Sequence, residues 1–252
     1  MSCAVITGAS SGLGVEFALQ VQSVFPGIDE LWLIARRAER LEALASRLPD
    51  VKVRCISADL TDSGDLDSLA CLLRAESPRI RLLVNCAGCG VLGDFADSEE
   101  GGQLRMVDLN VRALTAVTRM ALDCMPENSH IINVSSIASF VPTPRMTVYG
   151  ATKSYVASFS RGLHEELHRR RISVTAVCPG PMATEFLAAA GIPGRSRTFE
   201  TLPYCDPAMV AENALRAARA GRAVYTPRLF YKFYRVLSGI APQALLVKIS
   251  KT

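Results

Sequence analysis

Residues 7–14 read Thr7-Gly8-Ala9-Ser10-Ser11-Gly12-Leu13-Gly14, and the reading of this stretch governs the rest. A short apolar run at residues 3–7 leads into it, and a helical pattern at residues 13–24 leads out. Glycine lets a backbone turn tightly and come close to a ligand. A helix that starts at such a turn points unpaired N–H groups outward, which attract an anion. Together these are the requirements of a site for a dinucleotide's pyrophosphate. The spacing is G-x-x-x-G-x-G, which is neither G-x-G-x-x-G nor the lysine-containing phosphate loop. An ordinary strand-to-helix turn would carry the same glycines, so support has to come from elsewhere in the chain.

Outward from that turn, apolar runs rich in Val and Ile recur at residues 31–35, 51–56, 82–85, 131–135 and 174–178. They read as buried strands. Amphipathic stretches at 38–48, 63–75, 104–125 and 149–170 read as helices between them. Strand alternating with helix predicts an α/β fold, a parallel sheet with helices on both faces. A length of 252 residues suits a single domain of this class. Residues 182–207, with Gly191, Pro193, Gly194, Pro203 and Pro207, form the one long irregular stretch, expected to be a functional lid.

Hydrophobic residues make up 49% of the chain and charged ones 21%, which excludes a disordered, collagen-like or low-complexity protein. The net charge of +4 is too mild to argue for nucleic acid. That charge is unevenly placed. Arg222, Arg228, Lys232, Arg235, Lys248 and Lys251 lie in the last 31 residues, which contain no Asp or Glu, so the body before them carries −2. The same tail holds Tyr225, Phe230, Tyr231, Phe233 and Tyr234. Residues 1–227 are therefore expected to form the dinucleotide-binding domain and 228–252 a basic, aromatic extension. Three roles suit the extension: a flap over an apolar substrate, a subunit contact, or a peripheral membrane contact. The first two are favoured. No Lys or Arg precedes Arg36, and no uncharged stretch reaches the ~18 residues of a membrane span. The eight cysteines are scattered, mostly in apolar runs, as expected for reduced thiols in a cytoplasmic protein.

The end of the second strand bears on the cofactor. NAD sites usually place an acid near this point for the ribose 2′-hydroxyl. Here the chain reads Leu33-Ile34-Ala35-Arg36-Arg37, with two arginines and no acid. Guanidinium groups suit a 2′-phosphate, which predicts NADP(H).

Further along, Tyr149-Gly150-Ala151-Thr152-Lys153 places a tyrosine and a lysine one helical turn apart on one face. A nearby ammonium is expected to lower the phenol pKa toward the range of acid–base work. Thirteen residues before the tyrosine, Ser136 follows a strand end, where open parallel sheets place their ligand crevice.

With these pieces in order, the chain resembles the short-chain dehydrogenase/reductase family over nearly its whole length. The matching segments are Thr7–Gly14, Asp59-Leu60, Asn85-Cys86-Ala87-Gly88, Asn110, Asn133–Ser136, Tyr149–Lys153 and Pro179-Gly180. The resemblance implies a single-domain doubly wound, Rossmann-like sheet and hydride transfer between nicotinamide and a carbonyl or alcohol carbon. It implies Tyr149 as general acid, Lys153 as the ribose-binding residue, Ser136 as the substrate-oxygen partner and Asn110 as holder of a relay water. It further implies a cofactor pocket of Gly8, Ser10, Ser11, Gly12, Leu13, Gly14, Arg36, Arg37, Asp59, Leu60, Asn85, Ala87, Gly88, Pro179, Gly180, Met182 and Thr184. Two positions depart from the family pattern. Cys86 replaces an asparagine, and Met182 stands where a β-branched residue is common before Thr184. The family also implies a small-molecule substrate and a homodimer or homotetramer built on its long helices.

Other motifs compete. His164-Glu165-Glu166-Leu167-His168 fits H-E-x-x-H, the helix signature of a zinc hydrolase, but the third ligand of the extended pattern is absent. Cys86-x-x-Cys89 has no second pair, and the Asn133-Val134-Ser135 sequon lies inside an apolar run. A dinucleotide-binding sensor or scaffold without activity would be expected to lack the tyrosine or the lysine. The expected substrate wall (Ala138, Phe140, Val141, Val148, Phe186, Leu187, Ile192, Phe199 and Leu202) is apolar, which suggests a steroid-, lipid- or aromatic-like carbonyl.

Overall fold

The computed structural model describes residues 1–250 and 252. Lys251, counted in the charge of the tail, lies outside the described residues. In chain order the elements are β1 (Ser2–Thr7), α1 (Gly12–Val24), β2 (Glu30–Ala35), α2 (Ala38–Ala45), β3 (Lys52–Ser57), α3 (Ser63–Glu76) and β4 (Arg79–Asn85). Then come α4 (Glu100–Val107), α5 (Leu114–Leu122), β5 (His130–Val134), α6 (Thr147–Glu166) and β6 (Ser173–Val177). The chain ends with α7 (Glu185–Ala189), α8 (Arg197–Thr201), α9 (Pro207–Arg219), β7 (Val224–Tyr225), α10 (Leu229–Ile240) and α11 (Gln243–Ile249).

Among the described residues the strands form one sheet in the order β3-β2-β1-β4-β5-β6-β7, with every pairing parallel. The expected doubly wound α/β fold is thus the observed one. Strand side chains alternate between two cores. Ala4, Ile6, Leu31, Leu33, Leu82 and Val84 face α1 and α9, where Phe17, Val21, Ala211 and Leu215 cover them. Cys3, Val5, Trp32, Ile34, Ile80 and Leu83 face α3 and α5, beneath Leu66, Leu69, Leu73, Val117 and Ala121. Both faces are dry, so the strands read in sequence as unbroken apolar runs.

Some boundaries differ from the sequence reading. The stretch 104–125 is not one regular helix: α4 begins at Glu100, residues Asp108–Ala113 make a π-helical turn, and α5 stops at Leu122. The helix expected at 149–170 begins at Thr147 and ends at Glu166, after which His168–Arg170 tighten into a 3₁₀ turn and Arg171 takes φ 52°. The lid 182–207 is not structureless, since it contains α7 and α8. The sequence reading missed α9 and β7. The start of α9 was legible, because Asp206 caps it by accepting from the Ala208 N–H and Pro207 occupies its first turn.

The tail folds back on the body. Tyr231 of α10 is fully buried, its hydroxyl donating to the Pro203 carbonyl at 2.7 Å. Its ring lies so close to Gly180 that a Cβ at that glycine would overlap it. At the chain end Ser250 and Thr252 donate to the carbonyls of Pro142 and Pro144, and Arg145 donates to the Thr252 carbonyl at 2.7 Å. Leu229, Phe233 and Ile240 remain on the exposed side of α10. Tyr231→Ala should weaken this docking by about 3–5 kcal/mol, the usual cost of deleting a large buried ring. Hydrogen exchange should then quicken across α10 while the β1 and β4 amides stay protected.

Candidate functional site

A cleft of about 580 Å³ runs along the C-terminal ends of the strands. It opens where the strand order reverses between β1 and β4, the usual ligand crevice of open α/β sheets. Gly8 and Gly12 adopt φ of 70° and 51°, in the left-handed region that suits glycine. A Cβ at Gly8 would stand 2.8 Å from the Ala87 backbone, and one at Gly14 would overlap the Gly8 carbonyl. Ser11 caps α1 with no side-chain hydrogen bond, and the first helical turn carries no acid. The positive end of α1 is thereby turned to the cleft, and the turn fits a diphosphate.

Most of the expected residues converge on this cleft. Gly8, Ser10, Ser11, Gly12, Leu13, Arg36, Arg37, Asp59, Leu60, Ala87, Gly88, Ser136, Tyr149, Lys153, Pro179, Gly180, Met182 and Thr184 all line it. Gly14, Asn85 and Asn110 stand behind it instead. The Asn85 amide donates to Thr118 Oγ1 and Asn133 Oδ1, both at 2.8 Å, cross-linking β4 to α5 and β5. Asn110 sits in the π-helical turn, where its Oδ1 accepts from the Cys89 N–H at 3.0 Å. Its Nδ2 donates to the Cys89 carbonyl and to Thr152 Oγ1. A π-turn re-aims a helical side chain, here into the Cys89 backbone, and such turns are frequent at functional sites. Thr7 ties the glycine turn to the next strand end, its Oγ1 accepting from the Cys86 and Ala87 N–H groups at 3.1 and 3.2 Å.

Ser136, Tyr149 and Lys153 are buried together at the floor of the cleft. The Tyr149 hydroxyl is hydrogen-bonded to Ser136. Burial pushes the phenol up to about 12, with the Ser136 bond opposing. The expected lowering by Lys153 is therefore not what this structure shows, because desolvation by burial is the largest influence on this phenol. Lys153 Nζ lies 5.7 Å from the Tyr149 ring centre and donates to the Val134 carbonyl at 2.9 Å. Burial pulls its pKa down to about 8. The nearby Cys86 and Cys178 thiols are pushed up to about 12 and about 11 by the same desolvation, and every cysteine is free.

At the opposite end, Arg37 Nε and Nη2 donate to Ser10 Oγ at 3.3 and 3.1 Å, and Arg36 Nη1 stands 3.8 Å from Asp59. Burial opposes ionisation of Asp59, but hydrogen bonds from Thr61 and Arg105 hold its carboxyl down to about 2. Arg105, missed in sequence, lines the cleft and donates to Asp59 at 2.8 Å. A lone arginine in an amphipathic helix gave no signal of that pairing. Of the expected apolar wall, Ala138, Phe186, Leu187, Phe199 and Leu202 line the cleft, whereas Phe140, Val141, Val148 and Ile192 do not. Phe186 packs on Tyr149 at 5.6 Å between ring centres. Met146 and, from the tail, Phe230, Tyr231, Tyr234, Leu237 and Leu246 complete the wall.

The histidine motif has a different use. Helix α6 ends before His168, and His164 Nδ1 sits 2.9 and 3.2 Å from the Val174 backbone O and N. Among the described residues no group of three or more His, Cys, Asp or Glu could hold a metal ion. No helix among them is long and apolar enough to cross a membrane.

The depressed lysine has a measurable consequence. Below pH 8 Lys153 is protonated in both folded and unfolded chains, and folding bears the full cost of burying the charge. Between about 8 and the unperturbed 10.5 the unfolded chain binds more protons, so this group's contribution to stability rises with pH. Wild type should accordingly gain stability relative to Lys153→Met as pH rises from 8 to 10.5. Paired urea titrations across that window measure the gain.

Comparisons with known proteins agree with this fold. The family model described as short chain dehydrogenase matches residues 2–192. An uncharacterized oxidoreductase from Staphylococcus epidermidis is 31% identical over 82% of this chain and 89% of its own length. Among solved structures, a short-chain dehydrogenase from Sphingobium yanoikuyae in complex with NADPH is 34% identical, with a TM-score of 0.82 over 98% of this chain and 95% of that one. The bulky-bulky ketone specific alcohol dehydrogenase from Comamonas testosteroni is 31% identical, with a TM-score of 0.72 over 97% and 96% of the two chains. Fold, cleft and family match coincide, and the chain belongs to the short chain dehydrogenase family of oxidoreductases.

Proposed function

We propose that this protein is an NADP(H)-dependent oxidoreductase acting on the carbonyl or secondary alcohol of a bulky, hydrophobic small molecule. The observation that carries the reading is the placement of Ser136, Tyr149 and Lys153 on one buried floor, between an arginine-lined end and an apolar wall. When bound, NADP(H) supplies or accepts a hydride at nicotinamide C4. The chain does the rest. The Gly8–Gly14 turn and the start of α1 hold the diphosphate, and Arg36 and Arg37 meet the 2′-phosphate. Asp59 and Leu60 border the adenine, Ala87 and Gly88 lie beside it, and Asn85 braces that strand end from behind. Pro179, Gly180, Met182 and Thr184 flank the nicotinamide, and Lys153 binds its ribose hydroxyls.

Tyr149, neutral at ordinary pH, donates its proton to the substrate oxygen during reduction while Ser136 fixes that oxygen by hydrogen bonding. The Lys153 ammonium then stabilises the phenolate left behind. Asn110 keeps the Cys89 backbone in place beside them and serves the proton relay. The apolar wall favours a large hydrophobic substrate, the bulky-bulky ketone specificity of the Comamonas relative supports a bulky ketone, and the NADPH complex of the Sphingobium relative supports NADP(H). Residues 228–252 act as an extension that closes the wall of a catalytic domain spanning 1–227. The assembly is a homodimer or homotetramer.

Tyr149→Phe should lower kcat by about a hundredfold or more with NADPH affinity nearly intact, measured by stopped-flow turnover and calorimetric binding. Arg37→Gln should raise the KM for NADPH by about tenfold and leave that for NADH within twofold. A panel of bulky and small ketones should give the higher kcat/KM to the bulky members; equal or reversed preference would refute the substrate class.

A further inference from the structure

Arg37 has a second partner besides the glycine turn. Its Nη1 donates to Glu185 Oε2 at 3.0 Å, and Arg40 Nη1 donates to the other carboxylate oxygen, Oε1. Glu185 is the first residue of α7, in the cap over the cleft, and lies 148 residues from Arg37 in sequence. The next residue, Phe186, packs on the Tyr149 ring and lines the cleft. A Cβ at Gly90 would stand 2.8 Å from the Phe186 ring, so this phenyl has little room to shift. One carboxylate thus anchors the helix that covers the catalytic tyrosine, and it does so through the arginine assigned to the cofactor's 2′-phosphate.

We propose that Glu185 is a positioning residue that couples the two ends of the cleft by competing with the 2′-phosphate for Arg37. The inference rests on the NADP(H) reading above. A phosphate close to pH 7 carries nearly two negative charges and three strong acceptors, and it outbids a single carboxylate for a guanidinium fork. The same charge repels Glu185. Arrival of a 2′-phosphate therefore loosens the hold of α7, while a cofactor without that phosphate leaves the anchor intact. Arg37 keeps its two bonds to Ser10 in either case, which preserves its orientation toward the turn. All three ionic side chains are partly exposed, at 37%, 43% and 52% for Arg37, Arg40 and Glu185, so each pair is worth little alone and a modest added charge suffices to redistribute them.

Calorimetric titration of wild type, Glu185→Gln and Arg37→Gln with NADP⁺ and with NAD⁺ tests the coupling. Removing the competing charge in Glu185→Gln should tighten NADP⁺ by about threefold or more and leave NAD⁺ within twofold. In wild type, NADP⁺ should speed tryptic cleavage at the exposed Arg195 and Arg197 of the cap relative to NAD⁺, and Glu185→Gln should erase that difference. With NADH, which leaves the anchor in place, the ketone KM of Glu185→Gln should rise with little change in kcat, and with NADPH it should stay close to that of wild type. An equal change for both cofactors, or none, overturns the coupling. If Arg37→Gln fails to weaken NADP⁺ selectively, the 2′-phosphate assignment itself falls; if it does weaken NADP⁺ while Glu185→Gln changes nothing, only the coupling falls.

Discussion

Gly8 lies flush against the backbone of Ala87, with no space for a side chain between them, and Thr7 holds the contact by accepting from the Cys86 and Ala87 amides. Every other part of the cleft takes its position from that join. It brings the start of α1 across to the end of β4, at the one place where the sheet reverses its strand order. The positive end of the helix and the strand-end loop that leads to Asn110 then share one crevice. Asn85 extends the same brace to β5 through Asn133, and β5 delivers Ser136. A methyl group at Gly8 would push the two strand ends apart and shift the glycine turn away from the floor of the cleft.

The floor of the cleft, with Ser136, Tyr149 and Lys153, is buried, and that sets its electrostatics. Lys153 is a cation in a place that penalises charge, and Tyr149 is a phenol that resists ionisation there. The Val134 carbonyl and Ser136 hydroxyl offset part of these costs by hydrogen bonding. Such a pair is costly to bury: the phenol is held neutral, while the lysine stays charged below about 8. The cap adds a further constraint. Phe186 presses on Tyr149, and the tail helix α10, seated on Gly180 through Tyr231, borders the same cavity. Apolar groups from the cap and the tail therefore line the same cleft as Tyr149.

Much of this was legible residue by residue. Six strands showed as apolar runs because both faces of a parallel sheet are covered. The glycine turn, the Tyr149–Lys153 spacing and Ser136 after β5 were legible because each is a local geometric requirement. The π-turn at Asp108–Ala113 was not, since it keeps the helical hydrophobic pattern while shifting its phase. Nor was β7, a two-residue strand whose pairing rests on β6 rather than on its own composition. The pairing of Arg105 with Asp59 depends on two segments 46 residues apart meeting at one rim.

The sequence by itself determined the alternation of strand and helix, the glycine-rich turn, the absence of an acid after β2 and the spacing of Ser136, Tyr149 and Lys153. Those features are written in periodicity and short spacings, which act within one or two turns of chain. Tertiary structure alone decided the direction of the Tyr149 pKa, the inward fold of the tail and the bond between Glu185 and the arginines. Desolvation depends on how many atoms surround a group, and an ion pair depends on where remote segments land. Neither quantity exists until the sheet and its two dry faces have brought those segments together.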